Sequence, residues 1–373
     1  MKLKFNKNTT LILKRQPLAG TTFINWIKVL LENKLYISLR YIPRAIYVTL
    51  LITFTAPLRY IEKKKYDKKI KIIKINDPIF IIGHWRSGTT FLHYLLGQDN
   101  NFTYVSTMET LDPSIFLANE KILNKIVSNS LPSKRPMDNL DMKSYLPYEE
   151  EYAIANLSPY SFYHAWYFPQ KINYYFKKYV LFEDVAESVI SDWKKKYIYF
   201  LKKIAYKNKE KQIILKSLVN TAKIKHILEM FPDAKFIHLY RNPYLLYLST
   251  WRLYESILPI FSFQNVDKEK LDQSIIDIYK KLYLKYFEEK NLIPKENLIE
   301  IKYEEFIKNP IETVERIYKQ FKIKNFNQVK PVFESYVKKH ENYEKNHYKI
   351  DEKTKEKIYK EWEFAFKIFD YSI

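Results

Sequence analysis

The stretch that most constrains the fold is Pro78-Ile79-Phe80-Ile81-Ile82-Gly83-His84-Trp85-Arg86-Ser87-Gly88-Thr89-Thr90-Phe91-Leu92. A short apolar run ends at Gly83. After a turn, the apolar positions change to helical spacing at Phe91, Leu92, Leu95 and Leu96. The pattern predicts strand, tight loop, helix. Gly83 and Gly88 stand in the Gly-x4-Gly frame of a phosphate-binding loop, where backbone N–H groups and the positive helix end face an anion. The lysine of an ATPase loop is missing. Thr89 takes its place, and Arg86 is the loop's cation. The chain has four glycines in all, so a pair within one loop carries weight. The plain alternative is a strand–turn–helix joint capped by Ser or Thr.

The rest of the chain agrees with an α/β class. Strand-like runs occur at Ile79–Ile82, Phe102–Val105, Ile213–Leu215, Phe236–Leu239 and Leu298–Ile301. Helical spacing fills gaps such as Ala222–Met230 and Ser274–Phe287. Apolar runs alternating with helices predict a P-loop-like three-layer fold, a central parallel sheet with helices on both faces. Residues 106–200, rich in Pro, Tyr and Trp, predict a largely helical insertion over the carboxyl ends of the strands, where ligands bind in such sheets. Residues 1–70 predict a basic and apolar helical extension, and 71–373 the main domain.

Met1–Phe5 lacks a secretory pattern. Ala45–Leu58 is free of charge, with Arg40 and Arg44 before it and Arg59 and Lys63-Lys64-Lys65 after it. As a helix it covers roughly 20 Å, short of the ~30 Å hydrocarbon core. It reads either as an interfacial helix at an anionic membrane face or as a helix buried on the main domain. The expected location is cytoplasmic, peripheral at a membrane face.

The chain has no cysteine, which removes disulfides, thiolate metal sites and cysteine nucleophiles together. A formal net charge of +21 admits nucleic acid, an anionic membrane or an anionic small molecule as partner. The signatures of nucleic-acid modules are absent, and no nucleic-acid partner is expected.

A second anchor follows the run Lys235–Tyr240. Arg241 stands at its end, Pro243 suits a first helical turn, and Ser249 comes about two turns later. An arginine and a serine converging there suit a second phosphate, with the arginine as a charge-assisted fork.

Taken together, the two anchors resemble the sulfotransferases that use 3′-phosphoadenosine 5′-phosphosulfate (PAPS). The likeness is to the microbial branch with the Arg-Ser-Gly-Thr-Thr loop, which is similar to tyrosylprotein sulfotransferases. The resemblance implies that Arg86, Ser87, Gly88, Thr89 and Thr90 hold the donor's phosphosulfate, and that Arg241 and Ser249 hold its 3′-phosphate. Further matching segments are Leu215-Lys216-Ser217, where Leu218 replaces the family's proline, Arg135–Asn139 with Glu149–Ala153, Tyr303-Glu304-Glu305-Phe306, and Trp362–Tyr371. By the same resemblance Tyr303 lies by the cofactor, and Arg86 and Lys216 line the donor sulfonate.

Sulfonyl transfer to a hydroxyl of a glycan, lipid or small molecule needs cations at the leaving oxygen and a general base. Glu109 is the expected base, by resemblance to the glutamate of the tyrosylprotein enzymes. His84 is its rival, and His164 a weaker one. Glu149-Glu150-Glu151 is no metal cage by itself, because adjacent helical carboxylates point in different directions. No metal is expected. Tyr145, Tyr160, Tyr163, Trp166 and Tyr167 form either an acceptor platform or core. Two other functions compete: a nucleotide kinase or ATP-binding enzyme, and a basic membrane-binding module with an inert loop.

Overall fold

The computed structural model describes residues 16–341 and 348–372. The reading of Met1–Phe5, and the first part of the expected extension, lie outside them. The chain forms two compact units. Among the described residues, a sheet unit comprises Asn76–Tyr104, Lys211–Leu253 and those from Ile275 onward; a helical unit comprises those up to Ile75, Val105–Glu210 and Tyr254–Ser274.

The sheet unit contains β1 (Ile79–Gly83), β2 (Phe102–Tyr104), β3 (Gln212–Lys216), β4 (Lys235–Tyr240) and β5 (Leu298–Lys302). They form one sheet in the order β2-β3-β1-β4-β5, and every pairing is parallel. All five residues of β1 are buried, which explains its unbroken apolar run: a parallel strand covered on both faces has no polar side to alternate with.

On one face, Ile79, Ile81, Ile214, Ile237 and Leu239 pack with Leu92 and Leu95 of α3 (Thr89–Leu96) and with Val314, Ile317 and Phe333. On the other, Phe80 stacks on Phe236 and meets Phe231, and His238 lies 4.1 Å from the ring centre of Tyr286. The three-layer α/β expectation is met, strand for strand. The order of strands places β1 beside both β3 and β4, so the connections diverge there. The crevice outside the carboxyl ends at such a point is where open α/β sheets bind ligands.

The helical unit is built from α1 (Phe23–Glu32), α2 (Ile42–Lys71), α4 (Thr107–Leu111), α5 (Glu120–Ser130) and further helices, among them Glu187–Lys207. Among the described residues, no named strand lies between Tyr104 and Gln212. α2 runs well past the apolar stretch, through the lysine run to Lys71. Leu39–Lys71 is long and apolar enough, by length and composition alone, to cross a membrane, but polar contacts fasten it along its length to the helical unit. Arg44 donates to the carbonyls of Ser262 and Pro259, and Thr49 accepts from the Trp26 indole at 3.0 Å. Arg59 pairs with Asp112 at 3.4 Å, and Glu62 with the buried Lys203 at 2.5 Å. A buried ammonium such as that of Lys203 persists only with a partner of this kind.

The opposite side of α2 is open. Phe54 is 76% exposed, Ile42, Ile46 and Leu50 are exposed with it, and so is Leu39 (84%) in the short 3-10 turn just before α2. Helical spacing puts those within α2 on one stripe. Gly20 closes the unit against α4: a Cβ there would fall 1.6 Å from the Leu111 carbonyl oxygen, so only glycine allows the approach.

Candidate functional site

The strand-to-helix turn after β1 is tight. Ser87 donates both its backbone N–H (3.2 Å) and its hydroxyl (2.8 Å) to the His84 carbonyl. Arg86 has φ +76°, a left-handed conformation that bulky residues rarely adopt and that clusters at functional sites. Gly88 (φ +92°) precedes α3 and offers no capping side chain. The first N–H groups of α3 therefore have no cap side chain over them, the arrangement that receives an anion. A Cβ on Gly88 would come within 2.3 Å of the Tyr303 ring, so the close packing of ring and loop requires glycine.

The two sequence anchors meet in space. The Arg86 Nε donates to Ser249 Oγ at 2.9 Å, and Arg241 donates to the Arg86 carbonyl at 3.0 Å. The Arg241 guanidinium lies over the Tyr303 ring, 4.4 Å from its centre. The helix carrying Ser249 starts as its sequence suggests, with Pro243 first and the Asn242 side chain accepting from the N–H groups of Tyr244 and Leu245. Arg86, Ser87, Gly88, Arg241, Ser249 and Tyr303 thus form one connected cluster, with Thr89 and Thr90 opening α3 beside it.

Lys216 closes β3 in register opposite Ile81 of β1 and is buried. Its charge, after burial, helps push the His93 imidazole down to about 3. Within the sheet unit, the buried Ser217 hydroxyl and the Arg241 Nε have no partner among the described residues. Buried donors left open in this way fit a phosphate-bearing ligand.

His84 is 1% exposed, with Nδ1 at 2.9 Å from the Trp85 carbonyl and its ring against Trp85 and Tyr279. Burial lowers it to about 4. His164 is held the same way, on the Ser158 carbonyl, and also falls to about 4. Both are packed neutral rings and weak bases.

Glu109 lies in the helical unit, 3% exposed. It completes a capping box with Ser106, whose N–H donates to Oε2 at 2.7 Å. Its Oε1 takes Lys207 at 2.9 Å, and that lysine is shared with Glu120 at 2.7 Å. Glu149, Glu150 and Glu151 each accept at one carboxylate oxygen from a different hydroxyl, those of Tyr163, Tyr197 and Ser161. Tyr163, Trp166 and Tyr167 are core residues, at most 2% exposed, whereas Tyr145 is exposed.

Two site residues have no sequence signal. Thr221 both accepts from the Gly83 N–H (2.8 Å) and donates to the Gly83 carbonyl (2.7 Å), which pins the end of β1. Tyr348 donates to Ser249 Oγ at 3.1 Å. Nothing in the residues around either one marks it.

Comparison with known proteins gives the family and the fold. The model of the sulfotransferase family matches residues 78–328. The omega-hydroxy-beta-dihydromenaquinone-9 sulfotransferase of Mycobacterium bovis is 31% identical over 333 residues, covering 89% of this chain and 85% of the relative. In fold, the chain is similar to the crystal structure of a sulfotransferase from Mycobacterium avium (TM-score 0.67, 17% identity, 88% of this chain and 86% of that one). A Mycobacterium tuberculosis sulfotransferase gives a TM-score of 0.60 at 16% identity, over 89% and 88% of the two chains. A loop and a helix end built for anions, two arginines drawn together across the sheet's switch point, and a family match over most of the chain make this an enzyme of the sulfotransferase family.

Proposed function

We propose that the sulfonate donor is PAPS, bound at the cluster of the sheet unit, and that the acceptor is a hydroxyl on a lipid-like molecule. The observation that carries the donor assignment is the pairing of Arg86 with Ser249 and Arg241. It joins a phosphosulfate loop to a second cationic site, as a donor with two separate phosphates requires. Arg241 has no carboxylate partner among the described residues, and its Nε is buried and open. Arg86 and Lys216 are assigned to the charge that develops on the oxygen between sulfur and phosphorus.

In the reaction, the acceptor oxygen forms a bond to sulfur as the bond to the phosphate oxygen breaks. The hydroxyl proton goes to a base, which we assign to Glu109. Lys207, shared with Glu120, keeps a carboxylate partner when Glu109 takes that proton.

The acceptor class follows the mycobacterial relative, which is named for a hydroxylated dihydromenaquinone. The open apolar stripe of α2 and the lysines at its C-terminal end support docking at the cytoplasmic face of an anionic membrane. Co-sedimentation with phosphatidylglycerol vesicles but not phosphatidylcholine vesicles tests the docking. The donor assignment is tested by calorimetry. Adenosine 3′,5′-bisphosphate is expected to bind and Mg-ATP is not; the reverse result overturns the reading.

A further inference from the structure

The helical unit contains a cavity of about 480 Å³, formed within that unit alone. α2 contributes Tyr47, Leu51 and Leu58 to its wall, and α5 contributes Ile122, Ile126 and Val127. The cavity is partly open to solvent, which gives a ligand a way in, and it is far larger than the water-sized voids of a packed interior. An apolar cavity of about 150 Å³ takes up benzene, and by proportion this one accommodates roughly 20 carbon atoms. Its rim is apolar too: Ile122 is 64% exposed and Ile126 60%.

The wall also borders the open face of α2. Ile46, Leu50 and Phe54 are exposed, while Tyr47, Leu51 and Leu58 line the cavity. At 100° per residue these are two adjacent stripes, so apolar surface continues from the outside of α2 around to the inside of the cavity. Lys63, Lys64 and Lys65 follow on the same helix, a charge complement to anionic lipid rather than to a soluble apolar metabolite.

We propose that this cavity holds the hydrocarbon chain of the acceptor, a long-chain or polyprenyl alcohol. The proposal rests on the lipid-acceptor reading for the word acceptor only; the binding itself is independent of it. The N-terminal helices thereby gain a role, as one wall of a chain-binding site.

The test uses the full chain and n-alkan-1-ols from hexanol to tetradecanol, with binding followed by tryptophan fluorescence. Affinity is expected to rise by up to roughly fourfold for each methylene buried. Leu51→Trp and Ile126→Trp, on partly exposed wall positions that tolerate bulk, are expected to lower tetradecanol affinity at least tenfold. In both variants adenosine 3′,5′-bisphosphate affinity stays unchanged, and an unchanged far-ultraviolet circular dichroism spectrum and cooperative melt show that the helical unit folds. Leu284→Trp, an exposed position in the sheet unit, serves as control and leaves tetradecanol binding as in wild type. A chain-length series that is flat, or Trp variants that bind tetradecanol like wild type, overturns the proposal. If the cavity binds alkanols while labelled sulfonate appears only in glycan, the lipid-acceptor reading fails and the cavity assignment stands.

Discussion

The anion loop of the sheet unit and the apolar cavity of the helical unit are built on opposite principles. The loop draws its specificity from consecutive backbone. Residues 83–90 turn, hold an arginine in a left-handed conformation and open a helix end, so the information lies in a short string. The cavity draws on helix faces distant in sequence: α2, the Pro17–Gly20 turn, α4 and α5 each lend a few side chains. An anion is recognised by directed N–H groups and charge, which need fixed spacing. A hydrocarbon chain is recognised by shape and the exclusion of water, which many sequences supply.

The largest effect that would sharpen the contrast is on turnover. Glu109→Gln keeps an acceptor for the capping box but removes the base. Turnover is expected to fall about 10²–10⁴-fold, with adenosine 3′,5′-bisphosphate affinity unchanged. Wild-type turnover in this variant would reduce Glu109 to a cap and an ion-pair partner.

Next comes the donor side. Arg241→Ala removes a charged donor worth about 1.5–3 kcal/mol, so bisphosphate affinity should drop roughly 10–100-fold by calorimetry, while tetradecanol binding stays unchanged. Loss of both ligands together would break the division between the two regions. Gly88→Ala forces a methyl into the Tyr303 ring at φ +92° and should cost about 1–3 kcal/mol, seen as weaker bisphosphate binding and a lower Tm.

The cavity side has its own probe in Asp112, which lines the wall. Burial pushes its carboxyl up to about 7 in spite of Arg59 beside it. The folded state then holds a proton that the unfolded chain releases at its ordinary value of 3.8. This contribution is full below that value and is lost as pH rises toward 7. Tm should therefore decline across that window more steeply in wild type than in Asp112→Asn; parallel slopes in a thermal-shift series would contradict the assignment. The smallest effect is expected from Tyr348→Phe. It removes one hydrogen bond to Ser249, worth about 0.5–1.5 kcal/mol, and should weaken bisphosphate binding only a few-fold.

The same contrast explains what the sequence reveals. All five strands are legible: the central β1 is buried on both faces and leaves a continuous apolar run, while the edge strand β5 alternates buried and half-buried positions. Arg86, Arg241 and Ser249 are legible because each sits at a fixed offset from a strand end. Thr221 and Tyr348 are not, since they reach the site from segments without a motif. His84 stands inside the loop by sequence, yet its ring turns into an aromatic core that only the tertiary structure shows. Of α2, the sequence shows only the charge-free helical stretch Ala45–Leu58. Its length, its buried Arg44 and Glu62 and its part in a cavity depend on partners that lie far away in sequence, Lys203 among them.

The order of the strands has a consequence for how the protein is made. β1 pairs with β3 and β4, and Gly83 is tied to Thr221, 138 residues further on. Arg86 meets Ser249 across 163 residues. Contacts at such separation pay their loop-closure entropy before any gain returns. As the ribosome delivers the chain, the loop that leads the sequence motif must wait with its strand unpaired until more than a hundred further residues have emerged. Nascent chains ending before Arg241 lack half the donor cluster, so donor binding during synthesis reports on late assembly of the sheet rather than on the early appearance of its signature.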